Sequence, residues 1–116
     1  MKTEKIGKIL FWLVAIIMIF SAIIKFIQPQ QIIDEFTNWN LLDYLFIIAF
    51  MELIVGVLLI IPATSKVGAF LTSAYFGGAI ATHLTAGETP QLLLPISVLA
   101  VLIIGILLKY PKMLLK

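Results

Sequence analysis

Glu52 stands inside the apolar run from Leu45 to Ile61 of a 116-residue chain. A carboxylate at the centre of a bilayer costs on the order of 3 kcal/mol on insertion scales, so it persists where it is paired, hydrated or used. Two further ionisable residues fall near the ends of apolar segments, Lys25 in the first and His83 in the third. Ser21 lies one helical turn before Lys25, on the same face. Tyr75, Ala79 and His83 recur at four-residue intervals and share another face. On neighbouring helices, Lys25, Glu52, His83, Tyr75 and Ser21 would form a polar ligand pocket for an oxygen-rich headgroup, a proton or an anionic small molecule. Each has a structural alternative. Lys25 can snorkel to the headgroups, His83 can serve as an interfacial helix-end residue, and Glu52 can form a protonated bond to a neighbouring helix.

The elements that must carry these residues are apolar and long. Four segments stand out, at about 6–27, 41–61, 67–84 and 92–108. Each matches the length of about 17–25 residues that a transmembrane helix needs. Pro29, Pro62 and Pro111 follow the first, second and fourth segments; Pro90 precedes the fourth and Pro95 falls in its first turn. These are positions where a missing backbone N–H costs least. The expected fold is all-α: a polytopic four-transmembrane-helix bundle forming one domain over residues 1–116. Between helices one and two, Ile32, Ile33 and Phe36 space out a short amphipathic segment expected on the bilayer surface, with Trp39 and Tyr44 at the interface. Glu52 follows Asp43 by nine residues, which sets it about 13–14 Å deeper at helical rise.

Composition narrows the function. Hydrophobic residues make up 62% of the chain, against eight basic and six acidic residues, too few charges to clothe a soluble domain. All the basic residues are lysines, and no basic patch interleaves with aromatics, so nucleic acid is not an expected partner. Cysteine is absent, which removes dithiol chemistry and thiolate ligands, and a single His makes a metal site unexpected. There is no Gly-rich phosphate loop, no nucleophile elbow and no aqueous carboxylate pair. The chain is therefore not expected to be an enzyme by itself.

Lys2, Lys5, Lys8, Lys66, Lys109, Lys112 and Lys116 fall on one side of a four-span arrangement and only Lys25 toward the other. The positive-inside rule then puts both termini in the cytoplasm of a bacterial-type inner membrane. The first segment is too long for a signal peptide core, and Phe20-Ser21-Ala22 is a poor cleavage site, so it is expected to stay in place. Small residues should let helices approach: Ser73, Gly77 and Ala81 form one stripe of the third segment, Ala74, Gly78 and Thr82 another, and Gly56 follows Glu52 by a turn.

At these residues the chain resembles the DoxX-like family of small four-helix membrane proteins. The matching pieces are Phe20-Ser21-Ala22-Ile23-Ile24-Lys25-Phe26 followed by Pro29, then Glu52-Leu53-Ile54-Val55-Gly56, then Ala81-Thr82-His83-Leu84. Where the family pattern has a Gly in its first motif, this chain has Ser21 or Ala22. DoxX and DoxD take their names from a thiosulfate:quinone oxidoreductase, and other relatives partner membrane oxidoreductases. The resemblance implies Lys25, Glu52 and His83 as the site, and a quinone- or lipid-like ligand held by an accessory subunit of a membrane oxidoreductase system, with a bound quinone and no covalent cofactor. Two other functions compete. A small proton-coupled transporter would also use one membrane carboxylate, although small multidrug exporters carry theirs in the first helix. A ligand-free scaffold or assembly protein, or a homo-oligomer, would use the small-residue faces of the third segment.

Overall fold

A computed structural model describes residues 2–114, so Lys116 lies outside the described residues. The described chain is helical and contains no strand. Helix α1 (Lys2–Ile27) is followed by α2 (Gln30–Asn38), and a 3-10 turn (Leu42–Tyr44) leads into α3 (Leu45–Ile60). Then come α4 (Ser65–Thr85), a second 3-10 turn (Pro90–Leu92), α5 (Leu93–Lys109) and the short α6 (Pro111–Leu114).

The prolines punctuate these elements as expected. Pro29 is the N-cap of α2, Pro62 follows α3, Pro90 opens the second 3-10 turn and Pro111 opens α6. Three helix ends use a left-handed residue, Gln28 after α1 (φ +59) and one each after α2 and α4. After α2, Asn40 has φ +59, and the backbone N–H groups of Asn40 and Leu41 return to the carbonyls of Thr37 and Phe36. After α4, Gly87 has φ +74, and the N–H groups of Gly87 and Glu88 return to Leu84 and His83. Both are Schellman closures, which satisfy carbonyls left open at a helix end.

Helix α1 packs against α3 and α5, and α4 packs against the same two, so α1 and α4 face each other diagonally. The core gathers toward one end. It takes Phe11, Val14, Ala15 and Met18 from α1, Val55 and Leu59 from α3, Ala69 and Phe76 from α4, and Val98, Leu102 and Ile106 from α5. Glycines make this end tight. A Cβ on Gly68 would sit 2.6 Å from the backbone nitrogen of Leu59, and one on Gly7 would sit 2.9 Å from the carbonyl oxygen of Gly105. The expected contact at Gly56 is present too, against Ala15, Met18 and Ile19.

Three sequence expectations change. First, three helical stretches are long and apolar enough to cross a membrane: Lys2–Ile27, Leu42–Ile60 and Pro90–Lys109. The segment expected as the third span forms the 21-residue α4, which is not among them because its Ser, Thr, Gly, Tyr and His residues dilute its hydropathy. Second, the packing edge of α4 is Ser65, Gly68, Ala69, Thr72 and Phe76, not the predicted stripes. Gly77, Gly78 and Ala81 are exposed, Ser73 is half-buried, and a Cβ on Gly77 or Gly78 would meet nothing within 4 Å. Close approach occurs in the first half of α4, and past Phe76 the helix borders open volume. Third, α2 turns its apolar edge inward. Phe36 is buried, and Ile32 lines the interior cavity instead of lying on lipid.

Candidate functional site

Past Phe76 the helices border an open cavity of about 610 Å³. Ser21 and Lys25 of α1, Ile48, Met51 and Glu52 of α3, and Tyr75, Ala79 and His83 of α4 line it. Phe36 of α2 and Trp39 just beyond it cover one side. All five residues predicted for the ligand pocket therefore line one volume. They form two clusters, one buried and one at the rim.

The buried cluster centres on Glu52. The Lys25 ammonium donates to Glu52 Oε1 at 2.9 Å and to Ser21 Oγ at 2.6 Å. The two side chains are 11% and 4% exposed, so the pair is buried away from solvent. The pairing offsets the cost either charge would meet alone. Helix geometry builds it: Ser21 and Lys25 are one turn apart on α1, and the α1–α3 contact brings Glu52 alongside. Lys25 thus turns into the protein; it does not snorkel to the headgroups. Tyr75 of α4 lines the same cavity as Glu52.

The rim cluster centres on Glu88, which sequence reading missed. Its Oε1 accepts from Trp39 Nε1 at 3.0 Å and lies 2.8 Å from His83 Nδ1. Its Oε2 accepts from Asn38 Nδ2 at 3.4 Å. A carboxylate offers only acceptors, so His83 Nδ1 carries the hydrogen. The hydrogen bond from His83, then that from Trp39, hold the Glu88 carboxyl below its ordinary value. Trp39 stacks edge-on to His83 with centroids 5.2 Å apart and leans on Phe36 at 5.1 Å. The signal for Glu88 lay in Gly87. A glycine closing a Schellman motif folds the next residue back over the last turn, where His83 stands.

A model of the DoxX-like family matches residues 9–105, from early α1 to late α5. The chain belongs to the DoxX-like family. With its three strongly apolar helices, this DoxX-like chain is a multi-pass membrane protein. The matched stretch contains both clusters, Lys25 with Glu52 and His83 with Glu88. No curated protein and no solved structure matches the sequence.

Proposed function

We propose that the cavity binds a quinone- or lipid-like molecule, and that the protein serves as an accessory subunit of a membrane oxidoreductase system. One observation carries this reading: a buried, complementary Lys25–Glu52 pair lies against an open apolar cavity of about 610 Å³. That volume falls within the range of roughly 300–1,000 Å³ typical of small-molecule sites, where a few convergent polar groups orient an otherwise apolar ligand. Lys25 offers donors to a carbonyl or hydroxyl oxygen. Glu52 offers an acceptor and a place for a proton, and Tyr75 can do either. Met51, Phe36, Trp39 and Leu94 supply apolar walls for a ring or chain.

The same reading makes α4 the third of four membrane-crossing helices. Tyr75, Thr82 and His83 face the cavity, while Val67, Phe70, Leu71 and Leu84 are exposed on the outside. Its polar residues thus have somewhere other than lipid to point. Both termini are then cytoplasmic in a bacterial-type inner membrane, by the lysine distribution.

The test is mass spectrometry of small molecules that co-purify from native membranes. Wild type is compared with Glu52→Gln and with the paired change Lys25→Met, Glu52→Leu, which removes both charges at similar volume. A quinone or other defined molecule retained by wild type and lost from both variants supports the reading. Ordinary phospholipid in equal amounts from all three sinks it.

A further inference from the structure

Where α4 begins and α5 ends, two lysines converge on one tyrosine and a third lines the same recess. Lys66 is in the first turn of α4, Lys109 is the last residue of α5, and Lys112 lies in α6. With Tyr110 and Pro111 they line a recess of about 420 Å³. The Tyr110 hydroxyl is hydrogen-bonded with Ser65, which ties the ring to the start of α4. The ammonium groups of Lys66 and Lys109 lie 5.1 and 4.9 Å from the centroid of that ring. Partial burial alone would raise the Tyr110 hydroxyl. Its bonds to Ser65 and Lys109 and the charges of Lys109 and Lys66 outweigh burial and hold it below its ordinary value, the mark of a positive local field.

None of the three lysines forms a salt bridge with a described residue. Lys66 also opposes the dipole of the helix it starts, since cations are unfavourable at a helix N-terminus. Like charges gathered in one recess repel one another. Neither arrangement stabilises the fold, and an anion seated among the three ammoniums reverses the sign of both effects. The location adds a second constraint. Lys109 ends an apolar helix of membrane-crossing length, so the recess sits where headgroups lie. Basic pockets between membrane helices are suited to acidic headgroups.

We propose that Lys66, Lys109, Lys112 and Tyr110 bind a phosphate group, carried by an anionic phospholipid or free in solution. The ammoniums give charge-assisted bonds to its oxygens, and the Tyr110 ring holds two of them in place between binding events.

The full-length protein in detergent is titrated with phosphatidylglycerol, with phosphatidylcholine and with inorganic phosphate, and binding is read by native mass spectrometry. Wild type is expected to prefer phosphatidylglycerol to phosphatidylcholine or to take up inorganic phosphate. Each of Lys66→Gln, Lys109→Gln and Lys112→Gln is expected to weaken that binding about fivefold, from roughly 1 kcal/mol per lysine. Displacement of the lipid by millimolar inorganic phosphate identifies free phosphate as the source; retention identifies the headgroup. Lys5→Gln with Lys8→Gln, lysines of α1 outside the recess, is expected to bind as wild type. The proposal is overturned if the recess variants bind like wild type, or if the Lys5 and Lys8 changes weaken binding as much. Lys109 also contacts the Phe11 ring. If its variant does not fold, the exposed Lys66 and Lys112 decide the matter.

Discussion

Glu52 gives the most direct prediction at the scale of single residues. Its carboxylate compensates the buried Lys25 ammonium at 2.9 Å. Glu52→Gln leaves that ammonium without its counter-charge and is expected to cost about 3–5 kcal/mol. Replacing both residues, as Lys25→Met with Glu52→Leu, is expected to stay within about 1 kcal/mol of wild type or to exceed it. Reversible unfolding in mixed micelles measures all three, and a Glu52→Gln protein as stable as wild type would mean that the pair does not form. Glu88 gives a pH prediction. Its carboxyl is held below the ordinary value of 4.5 by bonds that favour the charged form, first from His83 and then from Trp39. The rim contacts are therefore fully present above that ordinary value and are lost as pH falls through the lower, bound-state value. Trp39 emission reports this in a Trp12→Phe background, since the chain has two tryptophans. Acidification should shift the emission, and Glu88→Gln should abolish the transition.

Among the elements, α4 divides into halves with opposite tolerance. In its first half a Cβ on Gly68 would fall 2.6 Å from the backbone of Leu59. Backbone cannot swing aside as a side chain can, so Gly68→Ala is expected to cost about 1–3 kcal/mol as an overpacking change. In its second half Gly77 and Gly78 have nothing near a Cβ. Gly77→Ala and Gly78→Ala should fold normally and gain up to about 1 kcal/mol from helix propensity. The same unfolding assay compares them. Equal losses at all three positions would mean that the second half of α4 is also a packed interface. Helix α2 follows a related rule: its amphipathic pattern fixes that one edge is buried, while the cavity decides that the edge faces protein.

For the whole molecule, the packed core and the cavity occupy opposite ends. Helices bound by Gly7, Gly68 and Gly105 at one end leave the other open around Lys25 and Glu52. In the proposed orientation, which rests on the lysine asymmetry, the open end faces outside. Because the chain contains no cysteine, single cysteines can report this in whole cells. Asp43→Cys, in the turn before α3, is expected to react with a membrane-impermeant maleimide without permeabilisation. Ala63→Cys, at an exposed position between α3 and α4, is expected to react only after it. The reverse pattern would invert the topology.

Much of this molecule was written in local patterns. Apolar segments about as long as a bilayer core is thick, with prolines at their ends, marked the helices, because a lipid-embedded backbone must satisfy its own hydrogen bonds. The isolated Glu52, and Lys25 and His83 near segment ends, are side chains that line the cavity. Tertiary structure decided what those residues touch. It paired Lys25 with Glu52 directly, because α1 and α3 pack closely beside Gly56. It gave His83 to Glu88 and Trp39, because two Schellman turns fold both loops over one rim. It also put the packing edge of α4 on a different face, Ser65, Gly68, Ala69, Thr72 and Phe76. Small residues license close approach on any face, and only the positions of the neighbouring helices select which face is used.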